Sequence, residues 1–184
     1  MKVGLTQRVL THNGQVYDSL EHGWYRLLQG HELIPIPNRE DLDYESLAES
    51  LDLLIITGGG NEEIRITTEV SLATEMSKMN KPILGVCHGA FLLTEILGGS
   101  TKECEGHLNV EHLVYGDAPT HVRVNSFHNI CIDKRPPNSV YLYLDENGNI
   151  ESWMKDNICA IVWHPERMSM PFIPDKIREV TGLL

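Results

Sequence analysis

The stretch that most constrains this chain is Gly85-Val86-Cys87-His88-Gly89. An apolar run, Pro82-Ile83-Leu84, leads into it, and Ala90-Phe91-Leu92-Leu93-Thr94-Glu95-Ile96-Leu97, which reads as a helix, leads out. A strand that turns abruptly into a helix, with glycines two positions either side of a cysteine, predicts a nucleophile elbow. Glycine suits those positions because a Cβ would clash in so sharp a turn. The turn lifts the cysteine clear of the sheet and sets it at a helix N-terminus, where free N–H groups and the helix dipole favour a thiolate. The same geometry presents serine in G-x-S-x-G hydrolases. On the pentapeptide alone, a buried structural cysteine beside incidental glycines fits as well.

The flanking pattern predicts the fold class. Residues 2–6 read as a strand. Apolar Leu20, Trp24, Leu27 and Leu28 predict a helix over 18–29, with Asp18 or Ser19 as N-cap and Gly30 as its stop. A strand over 32–36 closes at Pro37, a short helix follows over 43–51, and 53–57 is apolar throughout, as in a strand covered on both faces. A helix over 68–79 and a strand over 82–86 complete a repeated strand–helix order, the signature of a parallel sheet with helices on both faces. After Gly98-Gly99 the pieces shorten to strands over 110–115, 121–124, 130–132, 140–144, 150–154 and 158–163, and Asn147-Gly148 signals a hairpin between two of them. A helix over 174–180 ends the chain. The expectation is one α/β domain over 1–184, with a small antiparallel extension.

Composition excludes several function classes. A formal net charge of -11 gives no basic footprint for nucleic acid. No apolar run spans a membrane, and Met1-Lys2-Val3-Gly4-Leu5-Thr6 lacks the apolar core and cleavage site of a signal peptide, so a cytoplasmic enzyme is expected. Cys87, Cys104, Cys131 and Cys159 form no C-x-x-C pair and predict reduced thiols rather than a disulfide framework or zinc site. His107, His112, His121 and His128 fit no standard helical or hairpin ligand pair, so neither metal nor cofactor is expected.

A cysteine nucleophile needs a base, and the base an orienting group. Trp163-His164-Pro165-Glu166 follows a buried strand, placing His164 at a strand end of the kind where open α/β sheets put their sites; Glu166 can turn back to the imidazole. Gly58-Gly59-Gly60 ends another central strand, and its backbone N–H groups can approach a developing oxyanion beside that of His88. Each motif alone is weak, since turns are rich in His, Pro, Glu and Gly.

Together, in this order, they resemble the class I glutamine amidotransferases, and in pattern the γ-glutamyl hydrolase branch, which also carries an Asn-Ser-x-His motif, here Asn125-Ser126-Phe127-His128. The resemblance implies a flavodoxin-like three-layer sandwich and a Cys87–His164–Glu166 triad. It implies an oxyanion hole of the Gly58 or Gly59 and His88 N–H groups, and attack on a γ-glutamyl amide carbon through a thioester. One position departs: family members usually read Cys-x-Gly-x-Gln at the elbow, and the glutamine's place is taken by Phe91.

The opening Thr6-Gln7-Arg8-Val9, followed by Tyr17-Asp18-Ser19-Leu20 and Trp24, looks like that of free-standing amidotransferases from bacterial capsule gene clusters. In those, a γ-glutamyl group leaves a nucleotide-linked phosphoramidate, γ-glutamyl-CDP-amidate, to give cytidine diphosphoramidate. On that reading Gln7, Arg8, Gly60, Asn125, Ser126, Phe127 and His128 contact the substrate, with Arg8 on a phosphate. The competing readings are a glutaminase subunit feeding ammonia to a partner synthase, a general γ-glutamyl conjugate hydrolase, and a silent scaffold on the same fold. Oligomeric state is not readable from the sequence.

Overall fold

The computed structural model describes residues 1–116 and 121–183. Strand β1 (Lys2–Thr6) leaves the sheet into a hairpin of β2 (Arg8–His12) and β3 (Gln15–Ser19), then helix α1 (His22–Leu27) returns to β4 (Glu32–Ile36). Helix α2 (Tyr44–Ser50), strand β5 (Leu53–Ile56), helix α3 (Glu63–Lys78), strand β6 (Ile83–Val86) and helix α4 (His88–Ile96) follow. The remainder is β7 (Ser100–Glu103), β8 (Leu108–Gly116), β9 (His121–Phe127), β10 (Ile130–Lys134), β11 (Val140–Asp145), β12 (Ile150–Lys155), β13 (Ile158–Ile161), a 3-10 turn (Pro165–Arg167) and α5 (Asp175–Thr181).

The sheet has two halves. Strands run β4-β1-β5-β6-β13 in parallel, then β12-β11-β8-β9 in antiparallel order. β7 and β10 pair with each other, and β10 also pairs with β12. β5 and β6 are buried at every position, the burial expected of central strands covered on both faces by helices. α3 and α4 pack on these two strands. The predicted α/β sandwich is therefore present. The antiparallel part is larger than expected, continuing the main sheet edge to edge rather than appended to it.

Three expectations are corrected. The helix predicted over 18–29 is confined to His22–Leu27, because residues 15–19 form β3. Asn13-Gly14 turns that hairpin, with φ of 51° and 74° and His12 opposite Gln15, the two-residue turn in which Asn-Gly is favoured. The helix predicted from 68 begins at Glu63, its apolar period interrupted by the buried polar residues Arg65 and Glu69. Finally, Cys104 and Cys131 form a disulfide, against the expectation of four reduced thiols. The antiparallel β7–β10 pairing joins them across 27 residues, a proximity that sequence spacing does not reveal.

Candidate active site

Cys87 sits between β6 and α4 with φ 52°, the left-handed conformation of an elbow. Its backbone N–H donates to Ile161 O at 2.9 Å, tying the turn to β13. The flanking glycines have no room for a side chain: a Cβ on Gly85 would meet the Gly89 carbonyl, and one on Gly89 the Ile56 carbonyl. Such strain at a non-glycine residue costs on the order of 1–3 kcal/mol and persists only where the surroundings enforce it. Cys87 lines a cavity of about 250 Å³ with Gly59, Asn61, His88, Phe91, Phe127 and His128.

His164 lies just beyond the carboxyl end of β13, buried beside the elbow. Its Nδ1–H donates to Glu166 Oε1 at 2.6 Å, which leaves Nε2 for the side of the ring away from Glu166, and the ring feels the Cys87 sulfur beside it. Pro165 opens the 3-10 turn that brings Glu166 back. Burial pulls the imidazole's pKa down, but the hydrogen bonds and charges of Cys87 and Glu166 outweigh it and hold His164 at about 9, well above its usual 6.5. Cys159 lies in β13 without such partners, and burial pushes its thiol up to about 12. The structure thus brings Cys87, His164 and Glu166 together, with His164 hydrogen-bonded to Glu166 and close enough to Cys87 to feel its charge.

Two clamps hold that chain. Asn125 grips the His164 backbone from both sides, Nδ2–H donating to His164 O and Oδ1 accepting from His164 N–H, each at 2.8 Å. Gly23 of α1 packs on the Glu166 backbone so closely that a Cβ would overlap its carbonyl. Nearby Arg167 is held by Glu21, its Nε and Nη2 both donating at 3.0 Å.

The glycine loop is set by a network that sequence patterning does not expose. Gly58 has its Cα against the His164 ring, so close that a Cβ would strike Cε1. The Gly58 carbonyl accepts from Arg8 Nε–H at 2.6 Å, and the Thr57 carbonyl from Arg65 Nη2–H at 2.6 Å. Because the peptide is trans, the Gly59 N–H faces away from the Gly58 carbonyl and from Arg8, and Gly59 lines the Cys87 cavity. Arg65 and Glu69, both fully buried on α3, pair at 2.8 Å. Glu69 also accepts from Thr6 Oγ1–H at 2.7 Å and meets His88 Nε2 at 2.7 Å, while His88 Nδ1 meets Asn61 Oδ1 at 2.7 Å. The only local hint of this pair is that two opposite charges sit four residues apart on one helix.

The expected substrate contacts divide. Phe127 and His128 line the Cys87 cavity, and Phe127 also borders a second cavity of about 940 Å³ shared with Asn125, Arg123, Arg167 and Phe172. Phe127 meets the His164 ring edge-on at 5.6 Å, and the Arg167 guanidinium lies 4.7 Å from its centroid. Ser126 is a correction: it is fully buried, and its Oγ–H donates to His107 O at 2.5 Å. Gly60 is turned toward Glu62 and accepts from Arg65. Gln7 lines neither cavity; its carbonyl accepts from Asn38 Nδ2–H at 3.1 Å. Arg8 is committed to the Gly58 carbonyl and to Glu21, 3.1 Å away, so the phosphate contact expected of it is not the role its placement supports. Phe91, at the usual glutamine position, is buried, lines the Cys87 cavity and packs edge-on against His128 at 5.7 Å. The four histidines considered for a metal are also redistributed: His107, His112 and His128 converge, Cys104 and Cys131 lie beside His128, and His121 stands apart on exposed β9.

Comparison with known proteins places the chain in a family. The family model for glutamine amidotransferase class-I matches residues 9–180. The chain is 25% identical to the γ-glutamyl-CDP-amidate hydrolase of Campylobacter jejuni, over 91% of this chain and 90% of that one. It is 26% identical to the glutamine-hydrolyzing GMP synthase of Thermomicrobium roseum and 29% to the carbamoyl phosphate synthase small chain of Sulfolobus acidocaldarius, covering 76% and 83% of this chain. It spans only 27% and 44% of those two relatives' own lengths. A solved glutamine amidotransferase from Thermotoga maritima shares the fold with a TM-score of 0.69 at 15% identity, over 97% of this chain and 79% of that one.

Proposed function

The chain belongs to the class I glutamine amidotransferase family, a set of enzymes acting on γ-glutamyl amides, and we propose that it cleaves a γ-glutamyl group from a phosphorylated nucleotide carrier. The observation that carries the reaction is the buried grouping of Cys87, at a left-handed elbow, with His164 and its hydrogen-bonded partner Glu166.

In the proposed mechanism the Cys87 thiolate attacks the γ-carbonyl carbon. The oxyanion is received by the N–H groups of Gly59 and His88, at the end of β5 and the start of α4. Donors of this kind are each worth roughly 3 kcal/mol. His164, charged at rest, gives its Nε2 proton to the leaving nitrogen as the C–N bond breaks, leaving a γ-glutamyl thioester. It then takes a proton from water, the hydroxide displaces sulfur, and glutamate departs with the thiol regenerated. Glu166 holds the imidazole in one tautomer and stabilises its charged form.

The substrate is argued from the two cavities. The smaller one over Cys87 takes the glutamyl group, with Phe91 where a glutamine is usual. The larger one, opening beyond Phe127, takes the leaving group. Phe127 offers a ring face to a base, and exposed Arg123 offers its guanidinium to a diphosphate. A carrier such as cytidine diphosphoramidate fits that chemistry, and the Campylobacter relative bears a name of that kind. The second reading, a glutaminase supplying ammonia to a partner synthase, is supported by the two synthase relatives. The deciding measurement is kcat/KM for γ-glutamyl-CDP-amidate against L-glutamine. A large preference for the nucleotide substrate supports the first reading, and equal or better turnover of glutamine returns the protein to the second.

A further inference from the structure

Away from the triad, the antiparallel half gathers a second set of buried polar groups. His107 precedes β8, His112 lies within it, His128 follows β9 and Glu151 lies in β12. His107 Nδ1 and His128 Nε2 stand 3.7 and 3.8 Å from Glu151 Oε1, and His112 Nε2 stands 3.6 Å from Oε2. These separations exceed hydrogen-bond length. His107 Nδ1, His112 Nε2, His128 Nε2 and Glu151 Oε2 are all buried with no hydrogen-bond partner. The Glu151 side chain is 1% exposed, and those of His107 and His128 are 5% and 3%. Orphaned buried polar atoms are rare one at a time; three imidazole nitrogens gathered around one buried carboxylate make a set of donors suited to a cation.

The geometry identifies its class. Three imidazole nitrogens and a carboxylate oxygen around a cation at 2.0–2.2 Å form a tetrahedron with edges of about 3.4 Å. The three imidazoles stand 3.6–3.8 Å from the Glu151 carboxylate, near that edge length, and His107, His112 and Glu151 each offer an atom within 4.8 Å of the other two, with His128 completing the set from the oxygen it shares with His107. Two of the three outward nitrogens are already oriented, while His112 Nδ1 has no hydrogen-bond partner: His107 Nε2 lies 3.1 Å from Asp145 Oδ2, and His128 Nδ1–H donates to Ile130 O at 2.8 Å. Asp145 is itself fixed by the backbone N–H groups of Asn147 and Asn149. Ligand histidines characteristically donate their second N–H to a carboxylate or carbonyl in this way. The rings converge, with His107 centred 4.7 Å from His112 and 4.8 Å from His128. A divalent cation would be neutralised by the two carboxylates, Glu151 in contact and Asp145 through His107.

We propose that His107, His112, His128 and Glu151 form a four-ligand structural site for a divalent transition metal, with Zn²⁺ the best match. The donor set is complete without an open position, which is the mark of a structural rather than a catalytic zinc. Its effect reaches the active site through His128, which lines the Cys87 cavity and supports Phe91. The site thereby fixes one wall of the glutamyl pocket to β8 and β12. The adjoining Cys104 and Cys131 are bridged to each other and leave the imidazole–carboxylate set as the donors.

The test uses the full chain, stripped with a chelator and titrated with Zn²⁺ alone against a chromophoric competitor. One Zn²⁺ per chain is expected. Glu151→Gln and His107→Ala should each weaken binding more than about a hundredfold, and Asp145→Asn by roughly 10–100-fold. Cys87→Ala should leave binding unchanged, as should the double variant Cys104→Ser/Cys131→Ser. Wild-type protein loaded with Co²⁺ should show visible bands of a tetrahedral ion without thiolate charge transfer, a readout independent of how well any variant folds. Absence of stoichiometric Zn²⁺ binding, leaving water to fill the cluster, overturns the proposal. So does binding lost with the two cysteines but kept in Glu151→Gln.

Discussion

The two halves of the sheet treat buried polar groups differently. In the parallel half, the elbow, the glycine loop and the His-Pro-Glu turn meet at strand ends, and the groups that position them find partners within the chain: His164 with Glu166, Arg65 with Glu69, Gly58 O with Arg8. In the antiparallel half, Phe127 and Arg123 line an open cavity, and the His107–His112–His128–Glu151 cluster keeps five buried atoms without a hydrogen-bond partner, against Arg8 Nη2 and Glu166 Oε2 around the triad. A site that must stay rigid through a reaction is finished with protein atoms, because preorganised groups need no rearrangement when charge develops. Surfaces that wait for something else are left incomplete. The division predicts that changes to the triad and the groups that hold it, Asn125 of β9 included, strike every substrate alike, while changes along the open cavity of the antiparallel half discriminate.

The sharpest break should come at the elbow. Cys87→Ala and His164→Ala are each expected to remove activity by at least about a thousandfold on both substrates, and the double variant should be no worse than either single one. Losses that multiply in the double variant would separate the two residues. Alkylation of the free thiols should mark Cys87 and spare Cys159, whose thiol burial holds at about 12.

Glu166→Gln comes next, at roughly a hundredfold or more, since it orients the base and does not transfer a proton. It also sharpens the pH dependence. With His164 held at about 9, the imidazolium that protonates the leaving nitrogen persists through neutral pH, and the rate should fall as pH rises past about 9. In Glu166→Gln that alkaline fall should move to lower pH. Stability follows the same sign: the raised pKa contributes fully below the ordinary 6.5 and is lost as pH climbs through about 9. Thermal denaturation at pH 7 and pH 10 checks it, with wild type losing more than the variant.

How much of this was legible in the sequence follows the same divide. The parallel half announces itself because consecutive strand–helix units and continuous apolar strands are local signals, and the residues of the elbow, the Gly58-Gly59-Gly60 run and the His-Pro-Glu turn each stand beside such a signal. The hairpin of β2 and β3 was also written locally, in Asn13-Gly14, but Leu20, Trp24, Leu27 and Leu28 suggested a longer helix that tertiary pairing overrode. What stayed hidden is non-local. Arg65 lies outside the helix expected from residue 68, so its buried pairing with Glu69 appears only with α3 in place, and Cys104 meets Cys131 only once β7 lies antiparallel to β10. Asn125 gave no sign that it holds the backbone of His164, 39 residues away. Histidines at 107, 112 and 128 join Glu151 from separate segments, beyond any spacing rule.

Arg8 tests the parallel half by the role its contacts support. Its Nε–H fixes the Gly58 carbonyl and so aims the Gly59 N–H. Arg8→Ala should therefore lower kcat on nucleotide and glutamine substrates by the same factor, about a hundredfold, the cost of misplacing one oxyanion donor. A loss confined to the phosphorylated substrate would instead make Arg8 a phosphate ligand and require its contacts with Gly58 and Glu21 to open.

Arg123 is the counterpart in the antiparallel half, and the smallest effect. It is exposed on β9, lines the larger cavity four residues before Phe127 on the same strand, and is far in sequence from Cys87, His164 and Glu166. Removing its guanidinium takes nothing from the oxyanion loop or from His164, so glutamine turnover should stay within about twofold of wild type. A diphosphate in that cavity would lose one charge-assisted hydrogen bond. At an exposed position this sits near the low end of the usual range, about 1.5 kcal/mol, or roughly tenfold in kcat/KM. Binding energy drawn from a remote group also serves the transition state, so kcat should fall together with affinity. Arg123→Lys should recover part of the loss, because an ammonium restores the charge but not the paired donors that suit a phosphate. An equal loss on both substrates would mean that the rim of the cavity supports the catalytic chain itself, and the division between the two halves would not hold.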